Sequence, residues 1–309
     1  MNIEHHLRHI SIDAGSVEPE AMSRAAVSCP VARLSAFYAT IFLVTGIQLP
    51  FWPVWLVSRG FDAREIGFLL AAGIWVKVLV TPAIGATADW SGSHRAVMGI
   101  LAAIALIGYA AMIPVTGLWV LVLLNLVALT AQSALMPIGD TVTLAVARSD
   151  GLDYGRIRLW GSVSFILASL GSGTVLASTA GADALLLVLG ASALLTLACL
   201  AVPQQRQPTR GSRRFPDMRA FVSERRFWVF VAGASALQAS HQIYYGFGTL
   251  YWRSLGFSEA TIGMLWAEGA AAEILLFWHG QRLLARFGPE GLMMIGARPE
   301  SSVGSSRVD

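Results

Sequence analysis

Charged residues are scarce in this chain of 309 residues. Only 13% of the residues are charged, whereas 55% are hydrophobic. A soluble globular protein has about 25% charged residues, so this chain has too few charges to cover a water-facing surface of its size. Lipid must therefore solvate part of the protein. The net charge of +3 is also too small to indicate a nucleic-acid partner.

Cysteines and the motifs of catalysis are scarce as well. The two cysteines, Cys29 and Cys199, lie in a polar leader and in an apolar run, so the sequence indicates no disulfide framework. It contains no P-loop, no zinc-ligand spacing and no nucleophile elbow. We therefore expect no enzyme activity, no cofactor, no metal site and no ATP-driven transport within this chain.

Long apolar runs dominate the rest of the sequence. A membrane-spanning helix needs ~20 apolar residues, and runs of about this length occur near 34–57, 65–88, 96–115, 118–147, 158–179, 183–203, 227–251 and 260–283. The chain is therefore predicted to be an all-α integral membrane protein. Its predicted parts are a polar cytoplasmic leader (1–33), a six-helix bundle (34–203), a basic cytoplasmic linker (204–226), a partial second bundle (227–297) and a polar tail (298–309).

The distribution of basic residues predicts the orientation in the membrane. Loops on one side contain only Arg59, Arg64 and Arg253, and the other basic loop residues lie on the side of the N-terminus. Basic residues favour the cytoplasmic side. We therefore predict a multi-pass protein of the cytoplasmic (inner) membrane, with its N-terminus in the cytoplasm.

The last residues of the sequence change character abruptly. The segment LMMIGA at 292–297 is typical of the start of a ninth helix, but the polar segment RPESSVGSSRVD follows it. Six residues cannot cross a bilayer. This pattern predicts a frameshift or a premature stop, and a short natural tail remains the alternative.

Two loop segments have the pattern of a gating loop. Gly85, Asp89, Gly92 and Arg95 match the major facilitator loop G-x-x-x-D-(R/K)-x-G-x-(R/K)-(R/K), to which this stretch is similar. The glycines would permit a tight turn and a close helix approach, and Asp89 would cap a helix or pair with a nearby arginine. An ordinary polar turn is the alternative. At the start of the fifth helix, the second segment contributes Asp153, Arg156 and Arg158.

Four stretches resemble one transporter family. They are DYGRIRLWGS at 153–162, LPFWPVWL at 49–56, HQIYYGFGTLYW at 241–252 and IGMLWAEGAAAEILLF at 262–277. They resemble the phenylpropionate permease family, which is related to proton-linked nucleoside and oligosaccharide symporters. The resemblance covers about residues 34–296. It implies the twelve-helix major facilitator fold, proton-coupled uptake and an aromatic carboxylate substrate. This chain would then contain the complete N-terminal six-helix bundle and the first two helices of the C-terminal bundle.

Charged residues within the apolar runs are the first candidates for function. A charge at the bilayer centre costs ~2.5–3.5 kcal/mol on insertion scales and is a functional candidate by default. Lys77 is predicted to bind a substrate carboxylate, or else to form a structural ion pair with Asp140 or another acidic residue. Three residues are predicted to couple transport to protons: Asp140, His241 and Glu273. Asp140 follows Pro137 in the fourth apolar run. The resemblance favours a basic residue at 77 and supports Glu273.

Polar side chains supply the remaining candidates. On the seventh helix, Gln238, His241, Gln242 and Tyr245 have the spacing i, i+3, i+4, i+7 and share one face, which should point to a cavity or to another helix. The predicted substrate-binding residues, besides Lys77, are Gln242 and Tyr245 of this face and Gln48, Asn125 and Gln132. Aromatic residues at 52, 55, 119, 251 and 252 are predicted to anchor the helices at the membrane interface.

These features allow three functions. The first is proton-coupled uptake of a small organic anion such as an aromatic carboxylate. The second is proton symport of a sugar or nucleoside, in which Lys77 would be structural. The third is a non-transporting membrane scaffold or a remnant, because alternating access needs two halves that move about a shared site. The expected partners are a small-molecule substrate, protons and the lipid bilayer, and the sequence leaves the oligomeric state open.

Overall fold

The computed structural model describes residues 19–179, 183–204 and 223–296. In this part, the chain forms eight helices, α1 (Pro19–Ser58), α2 (Ala63–Ser91), α3 (His94–Ala111), α4 (Leu118–Asp150), α5 (Tyr154–Leu176), α6 (Ala184–Ala201), α7 (Arg225–Ser254) and α8 (Glu259–Gly296). The first six of them are long and apolar enough to cross a membrane, α1 from Pro30 onward. Helices α7 (30 residues) and α8 (38 residues) are also long enough to cross a membrane. The prediction of an all-α membrane protein is confirmed.

The predicted polar leader is partly helical. Helix α1 begins at Pro19, so only residues 1–18 of the predicted leader lie outside the described part. Proline is favourable at the first turn of a helix, and the following residues include several good helix formers. The lack of an apolar period therefore did not exclude a helix here. Most of the predicted linker (residues 205–222) and the predicted tail (298–309) lie outside the described part.

The last helix contains a break. Gly288 has φ 65° and ψ 168° within α8, a conformation that only glycine adopts readily. The helical residues after Gly288 include most of the segment that the sequence predicted to start a further helix, at 292–297.

Short capped turns connect the helices. At the start of α2, the Glu65 N–H donates to Asp62 Oδ1 (2.7 Å) and the Asp62 N–H donates to Glu65 Oε2 (2.9 Å), which is a capping box. Gly151, at φ 66°, ends α4. We call the end of the bundle with turns 59–62, 112–117 and 255–258 the outer end, and the end with turns 92–93 and 151–153 the inner end, after the predicted orientation.

Helix α1 is the most buried element of the first bundle. It packs along α5 and α6, while α4 packs against α2 and α3. Two serines of α5 link it to the α1 backbone, because Ser164 Oγ donates to the Ala39 carbonyl (2.6 Å) and Ser169 Oγ donates to the Gly46 carbonyl (3.0 Å). Small side chains and serine bonds of this kind let membrane helices approach closely.

The two parts of the chain meet near the outer end. Helices α5 and α8 approach at Gly173 and Gly263. A Cβ added to Gly263 would lie 2.4 Å from the Ser169 carbonyl oxygen and 3.2 Å from Gly173 Cα. Helices α2 and α7 also meet here, where a Cβ on Gly246 would lie 2.6 Å from a methyl carbon of Leu70. These contacts place α7 and α8 against the first bundle and enclose a cavity between them.

Candidate functional site

A cavity of about 360 Å³ lies between α1, α2, α4 and α7. We call it the central cavity. Helices far apart in the sequence contribute its polar lining residues, which include Gln48, Lys77, Gln132, Gln242 and Tyr245. The fold thus brings together most of the residues that the sequence predicted to bind substrate. Apolar side chains of α1 and α2 form much of the remaining wall.

Three buried side chains form a closed ring of hydrogen bonds on one wall of the central cavity. Gln48 Nε2 donates to Tyr109 Oη (2.9 Å), Tyr109 Oη donates to Gln132 Oε1 (2.6 Å), and Gln132 Nε2 donates to Gln48 Oε1 (3.0 Å). Tyr109 is fully buried. Tyr109 could not be recognised from the sequence, because a single tyrosine in the apolar run of α3 does not reveal which neighbouring helix it faces.

Trp52 forms another part of the cavity wall. Its Nε1 donates to Asn125 Oδ1 (2.9 Å), and its ring stacks on Trp55 with a centroid distance of 4.6 Å. Asn125 is therefore buried on the far side of Trp52 from the cavity and is not among the residues that line it. Because Trp52 and Trp55 are only 4% and 3% exposed, the prediction that they are interfacial anchors is wrong. The sequence placed them near a helix end but could not show that they face the neighbouring helices.

Lys77 is on α2 and lines two cavities. One is the central cavity, and the other is an inner cavity of about 450 Å³ between α2 and α4, which Asp89 and His94 also line. Lys77 is exposed to these spaces, and it is the only lysine in the sequence. Within the described part, no acidic side chain forms an ion pair with it. Lys77 therefore borders a space that a ligand can enter.

The hydrogen-bond partners of Asp140 are two tyrosines and not Lys77. Its Oδ1 accepts hydrogen bonds from Tyr38 Oη (2.6 Å) and Tyr154 Oη (3.1 Å). The carboxylate therefore joins α1, α4 and α5 near the inner end. The proposed Lys77–Asp140 ion pair is not found in the described part of the chain.

Arg158 lies beside Tyr38, one of the two tyrosines that donate to Asp140. Its guanidinium carbon is 5.5 Å from the Tyr38 ring centroid and 5.2 Å from that of Phe42, which are cation–π distances. Its Nη1 also lies 3.5 Å from the sulfur of Met136, a residue that lines the central cavity. Arg158 thus lies between the inner end and the cavity wall.

The α2–α3 turn differs in two ways from the expectation. Asp89 Oδ1 lies 3.0 Å from His94 Nε2, so its partner is histidine and not arginine. Gly92, at φ 63°, makes the expected tight turn, but among the described residues nothing lies within 4 Å of a Cβ added to Gly85. The close helix approach predicted at Gly85 is therefore wrong. Arg95 is half-buried at the start of α3.

The α4–α5 turn caps the fifth helix. Asp153 Oδ1 accepts hydrogen bonds from the backbone N–H groups of Gly155 (2.8 Å) and Arg156 (3.3 Å). Its other oxygen lies 3.6 Å from Arg156 Nε, and both side chains are well exposed. The Asp153 side chain therefore caps the start of α5.

The polar stripe of α7 is divided by the structure. Gln242 and Tyr245 line the central cavity, whereas Gln238 and His241 are exposed. The His241 ring contacts Tyr245 edge-on, at 6.0 Å between centroids. Glu273 is within α8, but its side chain lies outside the described part. The proton-coupling roles of Asp140, His241 and Glu273 therefore remain predictions.

Comparison with known proteins matches this architecture. A model of the MFS_1 like family matches residues 31–298. The chain is 30% identical over 271 residues to the "Probable 3-phenylpropionic acid transporter" of Escherichia coli (strain K12). This match covers 85% of this chain and 70% of that protein. It is 29% identical to the "Maltose permease" of Geobacillus stearothermophilus, over 84% of this chain and 66% of the permease.

A solved structure shares the fold. The crystal structure of nucleoside transporter NupG has a TM-score of 0.74 to this chain at 22% sequence identity, and the match covers 86% of this chain and 70% of that one. At this identity, the likeness concerns the fold alone. The chain thus has the fold of about 70% of this transporter.

Proposed function

Because this chain belongs to the MFS_1 like family, a family of major facilitator transporters, we propose that it is a secondary transporter that takes up a small organic anion together with protons. An aromatic carboxylate, such as 3-phenylpropionate, is the proposed substrate. The observation that carries this proposal is the position of Lys77, which lines a cavity together with aromatic and amide side chains.

The charge of Lys77 favours an anionic ligand. The described part of the chain places no carboxylate in an ion pair with this residue, and a lone charge within a membrane bundle is costly. A ligand carboxylate at 4 Å would gain about 4 kcal/mol at an effective dielectric constant of 20. An anion from solution would therefore supply the partner that the fold does not.

The other walls of the central cavity suit an aromatic body. Trp52 and Tyr245 line it beside apolar side chains such as Leu69 and Ile74. The volume of about 360 Å³ is within the range of about 300–1,000 Å³ that is usual for small-molecule sites. An aryl ring can pack against these rings while its carboxylate reaches Lys77.

Proton coupling is proposed on the charged and titratable residues of the bundle. Asp140 is held by two tyrosine hydroxyls, His241 is exposed on α7, and Glu273 belongs to α8. We propose that these residues carry or relay the proton, in a cytoplasmic membrane with the N-terminus inside. The relative named as a 3-phenylpropionic acid transporter supports the substrate class.

Proton symport of a neutral sugar or nucleoside is the second candidate function. Gln48, Gln132 and Gln242 line the central cavity, and carboxamides can both donate to and accept from hydroxyl groups. A maltose permease is also among the relatives. Competition of uptake by sugars, and not by aromatic acids, would select this function.

The single lysine allows a direct test of the proposed site. The purified full chain is treated with an amine-reactive acetylating reagent, and mass spectrometry measures acetylation of Lys77 separately from that of the N-terminal amine. We expect 3-phenylpropionate to slow this acetylation and the matched neutral alcohol, 3-phenylpropanol, to leave it unchanged. Equal acetylation rates with both compounds would contradict the assignment of Lys77.

Uptake into vesicles tests the transport function itself. With the full chain in proteoliposomes, we expect labelled 3-phenylpropionate to accumulate when a pH gradient is imposed. We expect Lys77→Met to abolish accumulation, because it keeps much of the length but loses the charge, and Lys77→Arg to retain part of it. Accumulation by Lys77→Met would show that the lysine is not needed, and accumulation without a pH gradient would refute proton coupling.

A further inference from the structure

We propose that Tyr109 is a positioning residue that makes the central cavity selective for oxyanions, because it holds Gln48 and Gln132 with amide N–H groups available to the substrate. The inference rests on the proposed function and deepens it. Tyr109 itself is fully buried and acts only through the two glutamines, whose side chains line the cavity.

The direction of the hydrogen bonds determines what each carboxamide can offer. In the ring, Gln48 donates to Tyr109, Tyr109 donates to Gln132, and Gln132 donates to Gln48. A carboxamide has one carbonyl oxygen and two N–H groups. Each glutamine therefore uses its carbonyl and one N–H within the ring, and each keeps a second N–H.

Gln48, Gln132 and Lys77 all line the central cavity, so on this proposal the two remaining N–H groups and the ammonium act there as a set of donors. An ionised carboxylate only accepts hydrogen bonds, whereas a hydroxyl or a carboxamide of a ligand also has hydrogens to donate. Hydrogen bonds to charged groups are worth about 1.5–3 kcal/mol, more than those between neutral groups. A donor set of this kind favours a carboxylate over a neutral analogue of the same shape.

Loss of the tyrosine hydroxyl would open the ring. Gln132 would lose the donor to its carbonyl, and Gln48 would lose the acceptor for its N–H, while the Gln132–Gln48 bond of 3.0 Å could remain. The freed carbonyl could then turn toward the cavity, where it would repel a carboxylate. The ring of Tyr109 also packs edge-on against Trp52, at 5.6 Å between centroids, and phenylalanine would preserve this contact.

The test compares an acid with its amide. Binding of 3-phenylpropionate and of 3-phenylpropionamide to the purified full chain is measured by calorimetry for the wild type, for Tyr109→Phe and for Tyr251→Phe. Tyr251 is 62% exposed near the outer end of α7, so its variant controls for the loss of a tyrosine hydroxyl. We expect Tyr109→Phe to lower the affinity for the acid about tenfold, which corresponds to one charge-assisted hydrogen bond, and the affinity for the amide less than twofold.

Several outcomes would overturn the inference. Unchanged acid affinity in Tyr109→Phe would leave the proposed function intact but exclude the positioning role. Equal losses for acid and amide would show that the hydroxyl only supports packing. If Tyr109→Phe does not fold, Gln132→Glu replaces it, because a glutamate at 132 keeps an acceptor for the Tyr109 hydroxyl but has no amide N–H donors. An unchanged preference of Gln132→Glu for the acid over the amide would then refute the inference. If the wild type binds neither compound, the proposed function fails and the inference falls with it.

Discussion

Replacement of Gly263 by alanine tests the closest contact between the two parts of the chain. Gly263 is on α8 and faces α5. The added Cβ would lie 2.4 Å from the Ser169 carbonyl oxygen and 3.2 Å from Gly173 Cα. Both atoms belong to a helical backbone, so no side-chain rotation can relieve the overlap. The helices must move apart by about 1 Å to reach an ordinary contact distance.

The expected cost follows from this separation. A gap of about 1 Å forfeits a quarter to a half of the dispersion energy of each contact across the interface, and overpacking of a well-packed region costs about 1–3 kcal/mol. Alanine is favoured over glycine within a helix by ~1 kcal/mol, which opposes this loss. We therefore expect Gly263→Ala to be less stable than a glycine-to-alanine variant without overlap, by about 1–3 kcal/mol.

The chain offers matched controls. Gly269 is on the same helix, and within the described part of the chain nothing lies within 4 Å of a Cβ added there. On α5, Gly171 is equally open by this measure, whereas Gly173 faces α8. Thermal unfolding of the full chain in detergent should rank Gly263→Ala below Gly269→Ala, and Gly173→Ala below Gly171→Ala. Equal midpoints within each pair, or a more stable Gly263→Ala, would refute the close packing of α5 and α8.

Two further predictions concern ionised side chains at the ends of the bundle. Asp140→Leu should lower the free energy of unfolding by about 1–3 kcal/mol, because the hydroxyls of Tyr38 and Tyr154 lose their common acceptor. Asp140→Asn keeps a carbonyl oxygen and should lose less. Equal losses for the two variants in chemical denaturation would contradict this reasoning. Arg253 Nε lies 3.1 Å from Glu259 Oε1, whose side chain is 11% exposed, so Arg253→Gln should cost about 1–3 kcal/mol. The double variant with Glu259→Gln should recover part of this loss in the same assay, and additive losses would show that the pair is not coupled.

The sequence predicted the helices well. The apolar runs lie within the observed helices to within a few residues, with α3 shorter than expected, because the length and polarity of a segment are local properties. Lys77 could be recognised because one charge within an apolar run is exceptional whatever surrounds it. The same reasoning identified Gln48 and Gln132, which line the central cavity.

The predictions that failed depended on which neighbouring element a residue faces, and the composition of a segment does not show this. Trp52 and Trp55 are near a helix end, as interfacial residues are, but they face neighbouring helices. Gly85 occupies a motif position that suggests close packing, yet the space beside it is open. The partner of Asp89 is His94, since the ends of α2 and α3 set that distance.

What the sequence by itself determined is therefore the set of membrane-spanning segments, the family resemblance and the presence of unusual polar groups. Only the tertiary structure decided which of these groups meet. Tyr109 became part of the candidate site because α1, α3 and α4 bring Gln48 and Gln132 to its hydroxyl. That a polar group is unusual in an apolar segment can be read from that segment alone, whereas its partner, and with it the cost of the group, depends on the packing of helices that are distant in the sequence.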